Sequence, residues 1–200
     1  MNYQIVNILD SCHYLLSNMF LEKTCFHVDL SQIFSDIENI DFNNKWHNNQ
    51  IGLKHRIGST DIWKDCIGSL YSREKSTFIA KESDFTEWNL SNDSYTKNQI
   101  SILCAHYKLS IGRVRLMRLL PKQGLSVHRD AEIRFHLVLK TNAKAYICNN
   151  IDTVNNSLNV IANCFHLPSD SYWYKADTTQ VHWVYNGGET ERIHLVVCAY

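Results

Sequence analysis

Hydrophobic positions along the chain follow two rhythms. Ile5, Ile8, Leu9, Cys12, Leu15, Leu16 and Met19 recur every three or four residues, which predicts a helix over residues 3–21. Ile33, Phe34, Ile37 and Ile40 repeat that spacing and predict a shorter helix over 31–40. A third helix is expected to start at Asp93 or Ser94 as N-cap, run through Ile100, Leu103, Cys104 and Tyr107, and stop before Gly112. The stretch between the second and third holds Trp46, Trp63, Trp88 and several glycines without a clear period. It predicts irregular structure with short strands, and the three tryptophans fit core positions.

From residue 113 the rhythm changes. Residues 113–120, 133–139, 158–167, 180–186 and 192–199 are short, rich in branched or aromatic side chains, and separated by turn formers. Strands at this spacing predict a sandwich or barrel rather than a parallel sheet. The expected fold is mainly β with flanking α-helices. Residues 1–200 form one domain in this reading, with 1–112 as a helical and irregular support and 113–200 as the core strands.

Charge narrows the partners. Twenty basic and twenty acidic side chains cancel, and no basic stripe is visible, so no nucleic acid is expected. No apolar run reaches membrane-spanning length, and Met1-Asn2-Tyr3-Gln4 lacks the basic start of a signal peptide. The seven cysteines are odd in number, widely spaced and without a CxxC pair, which weighs against a disulfide framework or a zinc ribbon. They fit small buried hydrophobes in a reducing compartment, so a cytoplasmic location is expected.

Candidate chemistry starts at Val127-His128-Arg129-Asp130. In an extended segment His128 and Asp130 point to one face, as two metal ligands would, or as a strand-end ion pair would. His182 supplies a third donor. Two histidines and one carboxylate make the facial set used for non-haem iron(II), with positions left open. Asn186-Gly187-Gly188 then signals a turn between two alternating strands. With those residues as a hairpin loop, Arg192 falls directly opposite His182 and faces the same site. An inward guanidinium needs an anion, and a carboxylate fits its fork best; the alternative is a surface pair with Glu189 or Glu191. Ile133, Phe135, Leu137 and Leu139 form one apolar face, with Arg134 and His136 on the other. Ile193, Leu195 and Val197 oppose Arg192 and His194 in the same way. Periodicity alone leaves open whether Arg134 and His136 face the barrel interior or solvent.

These residues resemble a family. Arg115-Leu116-Met117-Arg118-Leu119-Leu120-Pro121, His128-Arg129-Asp130, Arg134-Phe135-His136-Leu137, Trp173-Tyr174, His182, Asn186 and Arg192-Ile193-His194-Leu195-Val196 fall in the order and spacing of the aspartyl/asparaginyl β-hydroxylases. This family of 2-oxoglutarate oxygenases also includes free-proline hydroxylases. The resemblance covers residues 113–200. It implies a double-stranded β-helix, or jelly roll, with Fe(II) on His128, Asp130 and His182. It implies 2-oxoglutarate with its distal carboxylate on Arg192, and O2 as the oxidant. His136 and Arg134 match positions that contact the cosubstrate or a substrate carboxylate, and Trp173 matches a structural aromatic. Arg115 is a further candidate for a substrate carboxylate. The implied reaction hydroxylates an unactivated C–H bond of an amino acid or amino-acid side chain, converting 2-oxoglutarate to succinate and CO2. The partner is then a small molecule or peptide. Two other readings of the same barrel are a cupin-type metal-dependent isomerase or lyase and a non-catalytic binding module. Neither needs Arg192 as a clamp. Pro121-Lys122-Gln123-Gly124 departs from the family's usual Pro-Gly, which implies a longer turn there.

Overall fold

A computed structural model describes residues 19–38, 40, 45–72, 74–153 and 160–200. In chain order the elements are β1 (Leu21–His27), α1 (Leu30–Glu38), β2 (Gln50–Gly52), β3 (Lys54–His55), β4 (Tyr71–Ser72), β5 (Thr77–Phe78) and β6 (Glu87–Trp88). They continue with α2 (Tyr95–His106), β7 (Ile111–Leu119), β8 (Gln123–His128), β9 (Ile133–Lys140), β10 (Ala145–Thr153), β11 (Val160–Phe165), β12 (Tyr172–Ala176), β13 (His182–Asn186) and β14 (Arg192–Ala199).

Two antiparallel sheets dominate. One runs β1-β12-β9-β14-β7-β2 and the other β11-β10-β13-β8. From β7 onward the chain winds back and forth between the two sheets, interrupted only where β10 and β11 pair as neighbours in the four-stranded sheet, which is the winding of a jelly roll. The first half of the chain does more than support this core: β1 and β2 extend the six-stranded sheet at both edges. Of the three expected helices, the second and third form, and Ser94 caps the third by accepting from the Lys97 N–H. The first falls largely outside the described residues, and its last expected residue, Leu21, opens β1.

Strand alternation sorts the side chains. Phe135, Leu137, Leu195 and Val197 leave the barrel on one face and pack against Ile33, Ile37, Ile100 and Leu103 of the helices. Trp173 is fully buried in the same core, and Trp46, Trp63 and Trp88 pack on its margin. Between the sheets, Leu119, Val138, Ile147 and Val184 fill part of the interior. The polar alternates, Arg134 and His136 on β9 and Arg192 and His194 on β14, therefore point inward rather than to solvent.

Three expectations fail here. β13 and β14 are not a hairpin: β13 pairs with β10 and β8, whereas β14 pairs with β7 and β9. A three-residue hairpin loop would need a residue with positive φ, and none of Asn186, Gly187 and Gly188 has it. Gly188 is needed for space, because a Cβ there would collide with the Asn142 side chain. Asn186 carries the chain between sheets, donating to the Leu119, Leu120 and Thr190 carbonyls and accepting from the Gly188 N–H. The second failure concerns the cysteines: Cys148 and Cys164, directly opposed on β10 and β11, form a disulfide. Cys66, Cys104 and Cys198 are buried free thiols, and Cys25 is exposed. The turn at Pro121-Lys122 is also short, closed by the Gln123 N–H on the Leu120 carbonyl. No helix among the described residues is long and apolar enough to cross a membrane.

Candidate active site

Three donors converge between the sheets. His128 ends β8, His182 opens β13, and the two are paired across those strands with ring centroids 4.3 Å apart. Asp130 lies just beyond β8, in the segment that crosses to the other sheet, where its N–H donates to the Thr178 carbonyl. Its carboxylate sits 3.5 Å from His182 Nε2 and 4.0 Å from His128 Nε2. The ligand atoms of all three lie within 4.8 Å of one another.

The proton positions suit a metal. His128 Nδ1 lies 2.6 Å from the Ser126 carbonyl, and His182 Nδ1 lies 2.9 Å from the Gln180 carbonyl. A carbonyl only accepts, so each Nδ1 carries its hydrogen and each Nε2 presents a lone pair toward Asp130. Burial holds the His128 pKa below its ordinary value, and the neighbouring His182 adds to this, which favours the neutral ligand form. Burial alone would push the Asp130 carboxyl up, but the Arg134 guanidinium bound to it outweighs this and holds its pKa below the ordinary value. Arg134 binds Asp130 Oδ1 at 2.5 Å and leaves Oδ2 without a hydrogen-bond partner. An orphaned carboxylate oxygen beside two imidazole lone pairs fits a divalent cation of the iron(II) type.

Around this cluster lies a pocket of about 710 Å³ including its open mouth. His128, His182, Arg134, His136 and Arg192 all line it. Arg192 and His182 meet there from opposing sheets rather than as hairpin neighbours. Arg192 is 5% exposed and donates to His194 Nδ1 at 3.0 Å. Burial pushes its pKa down to about 10, which still leaves it charged. No carboxylate pairs with it among the described residues: Glu189 pairs with Lys122, and Glu191 with Lys140 and Arg118. His136 is buried, and both its ring nitrogens lack partners. Burial, followed by the charges of Arg192 and Arg134, drives its pKa well below the ordinary value, so it is a neutral ring with one donor and one acceptor.

Arg115 does not line the pocket. It is fully buried behind Gln50, which does line it. Asn48, Asn49 and Gln123 also border the pocket. None of these amides stood out in the sequence, because Asn and Gln are common throughout and the 48–50 turn is distant from the core strands.

Comparison with known proteins gives the lineage. No curated protein matches the chain. The fold resembles a 2OG-Fe(II) oxygenase family oxidoreductase from Burkholderia pseudomallei, at TM-score 0.56 and 12% identity, over 100% of this chain and 92% of that one. It also resembles IDO from Bacillus thuringiensis (TM-score 0.51, 12% identity, 100% and 98% covered). AviO1 from Streptomyces viridochromogenes Tue57 is similar as well (TM-score 0.51, 10% identity, 90% and 88% covered). The profile of the aspartyl/asparaginyl β-hydroxylases matches residues 29–200, so the family extends well into the amino-terminal half, beyond the 113–200 stretch that carried the resemblance. The chain belongs to the aspartyl/asparaginyl β-hydroxylase family and is an oxygenase-type enzyme.

Proposed function

We propose that the protein is an Fe(II)- and 2-oxoglutarate-dependent dioxygenase that hydroxylates an unactivated C–H bond of an amino acid or amino-acid side chain. His128, Asp130 and His182 hold the iron, and Arg192 binds the distal carboxylate of 2-oxoglutarate. The observation that carries this reading is Arg192, a buried guanidinium without a carboxylate partner in the pocket of a three-donor metal cluster. A buried unpaired charge is costly, and a dicarboxylate cosubstrate offsets it.

Iron(II), when bound, supplies the redox chemistry that couples O2 and 2-oxoglutarate to hydroxylation, giving succinate and CO2. The side chains position the reactants. The backbone carbonyls of Ser126 and Gln180 orient the two imidazoles. Arg134 orients Asp130, and its unpartnered Nε is free to donate to a bound anion. His136 offers its single ring N–H to a cosubstrate oxygen. Val184, Ile147 and Leu119 keep the interior apolar and exclude water.

The test is incubation with iron(II), 2-oxoglutarate and pools of free amino acids or short peptides, with succinate quantified. Substrate-dependent succinate, absent in His182→Ala, is the expected result. Succinate at background with every pool contradicts the reading.

A further inference from the structure

The inner face of the barrel holds a second buried guanidinium that the reading above leaves unused. Arg115 is 2% exposed and pairs with no carboxylate among the described residues. Its neighbours on the same face are already matched: Arg113 is bound to Glu82, and Arg134 to Asp130. Arg115 donates from one terminal nitrogen to Gln50 Oε1 at 3.2 Å and from the other to Cys198 Sγ at 3.2 Å, while its Nε has no partner.

Arg115 is paired with Val196, four residues along β14 from Arg192, a backbone separation of roughly 13 Å along the strand. Arg192 lines the pocket directly, whereas Arg115 lies behind Gln50.

Gln50 connects Arg115 to the pocket. Its Oε1 accepts from Arg115 and from the Gly68 N–H at 3.3 Å. Two donors fix which end of the amide is which: the oxygen faces Arg115, and the amino group takes no part in that contact, on a residue that lines the pocket. A guanidinium pulling on the carbonyl oxygen polarises the amide and strengthens its N–H donors.

We propose that Gln50, held and polarised by Arg115, forms a second anion subsite in the pocket that receives a carboxylate of the substrate. The proposal rests on the cosubstrate reading of Arg192 and adds to it that the substrate enters as a carboxylate-bearing molecule. Gln50 is the contacting residue, and Arg115 positions it.

The test uses Mn(II) and the inert analogue N-oxalylglycine to occupy the metal and Arg192, with sodium acetate as the carboxylate probe and sodium chloride at matched ionic strength as control. Acetate is expected to raise the melting temperature of the loaded wild type. The acetate concentration giving half the effect should rise at least tenfold in Gln50→Ala. Gln50→Glu places a carboxylate beside Arg115. It is expected to raise the melting temperature of the ligand-free protein by about 3 °C or more and to abolish the response to acetate. An acetate response identical in wild type and Gln50→Ala overturns the proposal. So does a wild type that binds N-oxalylglycine yet ignores acetate, or a Gln50→Glu protein no more stable than wild type, since Arg115 would then already be neutralised within the protein. Failure to bind N-oxalylglycine is a separate result, and speaks against the reading of Arg192. The Gln50→Glu comparison does not depend on it.

Discussion

His182 and Arg192 face one pocket from different sheets: His182 opens β13 of the four-stranded sheet, and Arg192 opens β14 of the six-stranded sheet. The metal cluster and the candidate anion clamp are therefore held by separate layers, and the space between the layers is where cosubstrate and substrate meet. Asn186 sets the spacing, because its amide ties the end of β13 to the end of β7.

A buried charge kept for a ligand costs stability while the ligand is away. Arg192→Met retains the packing volume and removes the unpaired charge. Its melting temperature without ligand is expected to equal or exceed that of wild type, measured by calorimetry. A drop of about 5 °C or more would mean that Arg192 is structurally satisfied already.

Metal binding is expected to need all three donors. His128→Ala, His182→Ala and Asp130→Ala should each lower Mn(II) affinity by more than about 100-fold, the upper range for residues that merely support ligands. Titration followed by the paramagnetic signal of free Mn(II) gives the affinities. Retention of wild-type affinity in any one variant removes that residue from the set.

The Arg113–Glu82 pair fastens the 82–84 turn to the first strand of the jelly roll, with both side chains almost fully buried. Burial pushes the Glu82 carboxyl up, but the hydrogen bonds and charge of Arg113 outweigh it, so its pKa lies below the usual 4.5. A carboxyl depressed in the folded state stabilises the fold above its unfolded pKa, and that stabilisation is lost as pH falls through the folded value. Glu82→Gln leaves Arg113 buried without its partner and should cost about 3–5 kcal/mol at pH 7. Urea midpoints between pH 7 and 3 should show a smaller acid loss in the variant than in wild type. Parallel curves would contradict this.

The Cys148–Cys164 bridge joins two paired strands across a separation of 16 residues. A closed loop of that size contributes about 3 kcal/mol in the chain-entropy account. Cys148→Ser/Cys164→Ser, or reduction of the wild type, should lower the melting temperature by about 6–12 °C. Equal melting with and without reductant would show that the bridge contributes nothing.

Much of the site was legible because its determinants are local. Arg134 and His136, and Arg192 and His194, alternate with apolar residues that the helices cover, so a period of two identified their shared face. The spacing His128-x-Asp130 did the same for two ligands. The Arg192 register was a different matter. Asn186-Gly187-Gly188 has a hairpin composition, but Gly188 serves close packing against Asn142, a contact across 46 positions that no local pattern carries. Arg192 and His182 line one pocket because both strands bound the same interior, not because they are neighbours. Strands β8, β10 and β12 fall outside the expected strands: β8, an edge strand with five exposed residues, has almost no alternation, β10 carries polar residues in its second half, and β12 has three successive aromatic residues rather than a period of two. The disulfide was hidden for a similar reason, being set by cross-strand register rather than by cysteine spacing. Gln50 and Arg115 meet across 65 positions, and nothing short of the fold brings them together.

The most direct test of the account is a calorimetric titration of N-oxalylglycine into wild-type protein with and without Mn(II), and into Mn(II)-loaded Arg192→Ala. The expected result is binding that requires the metal and weakens by at least about 100-fold without the guanidinium, whose hydrogen bonds to a charged group each contribute about 1.5–3 kcal/mol. Binding of equal strength in all three samples would contradict the assignment of His128, Asp130, His182 and Arg192 to one cosubstrate site.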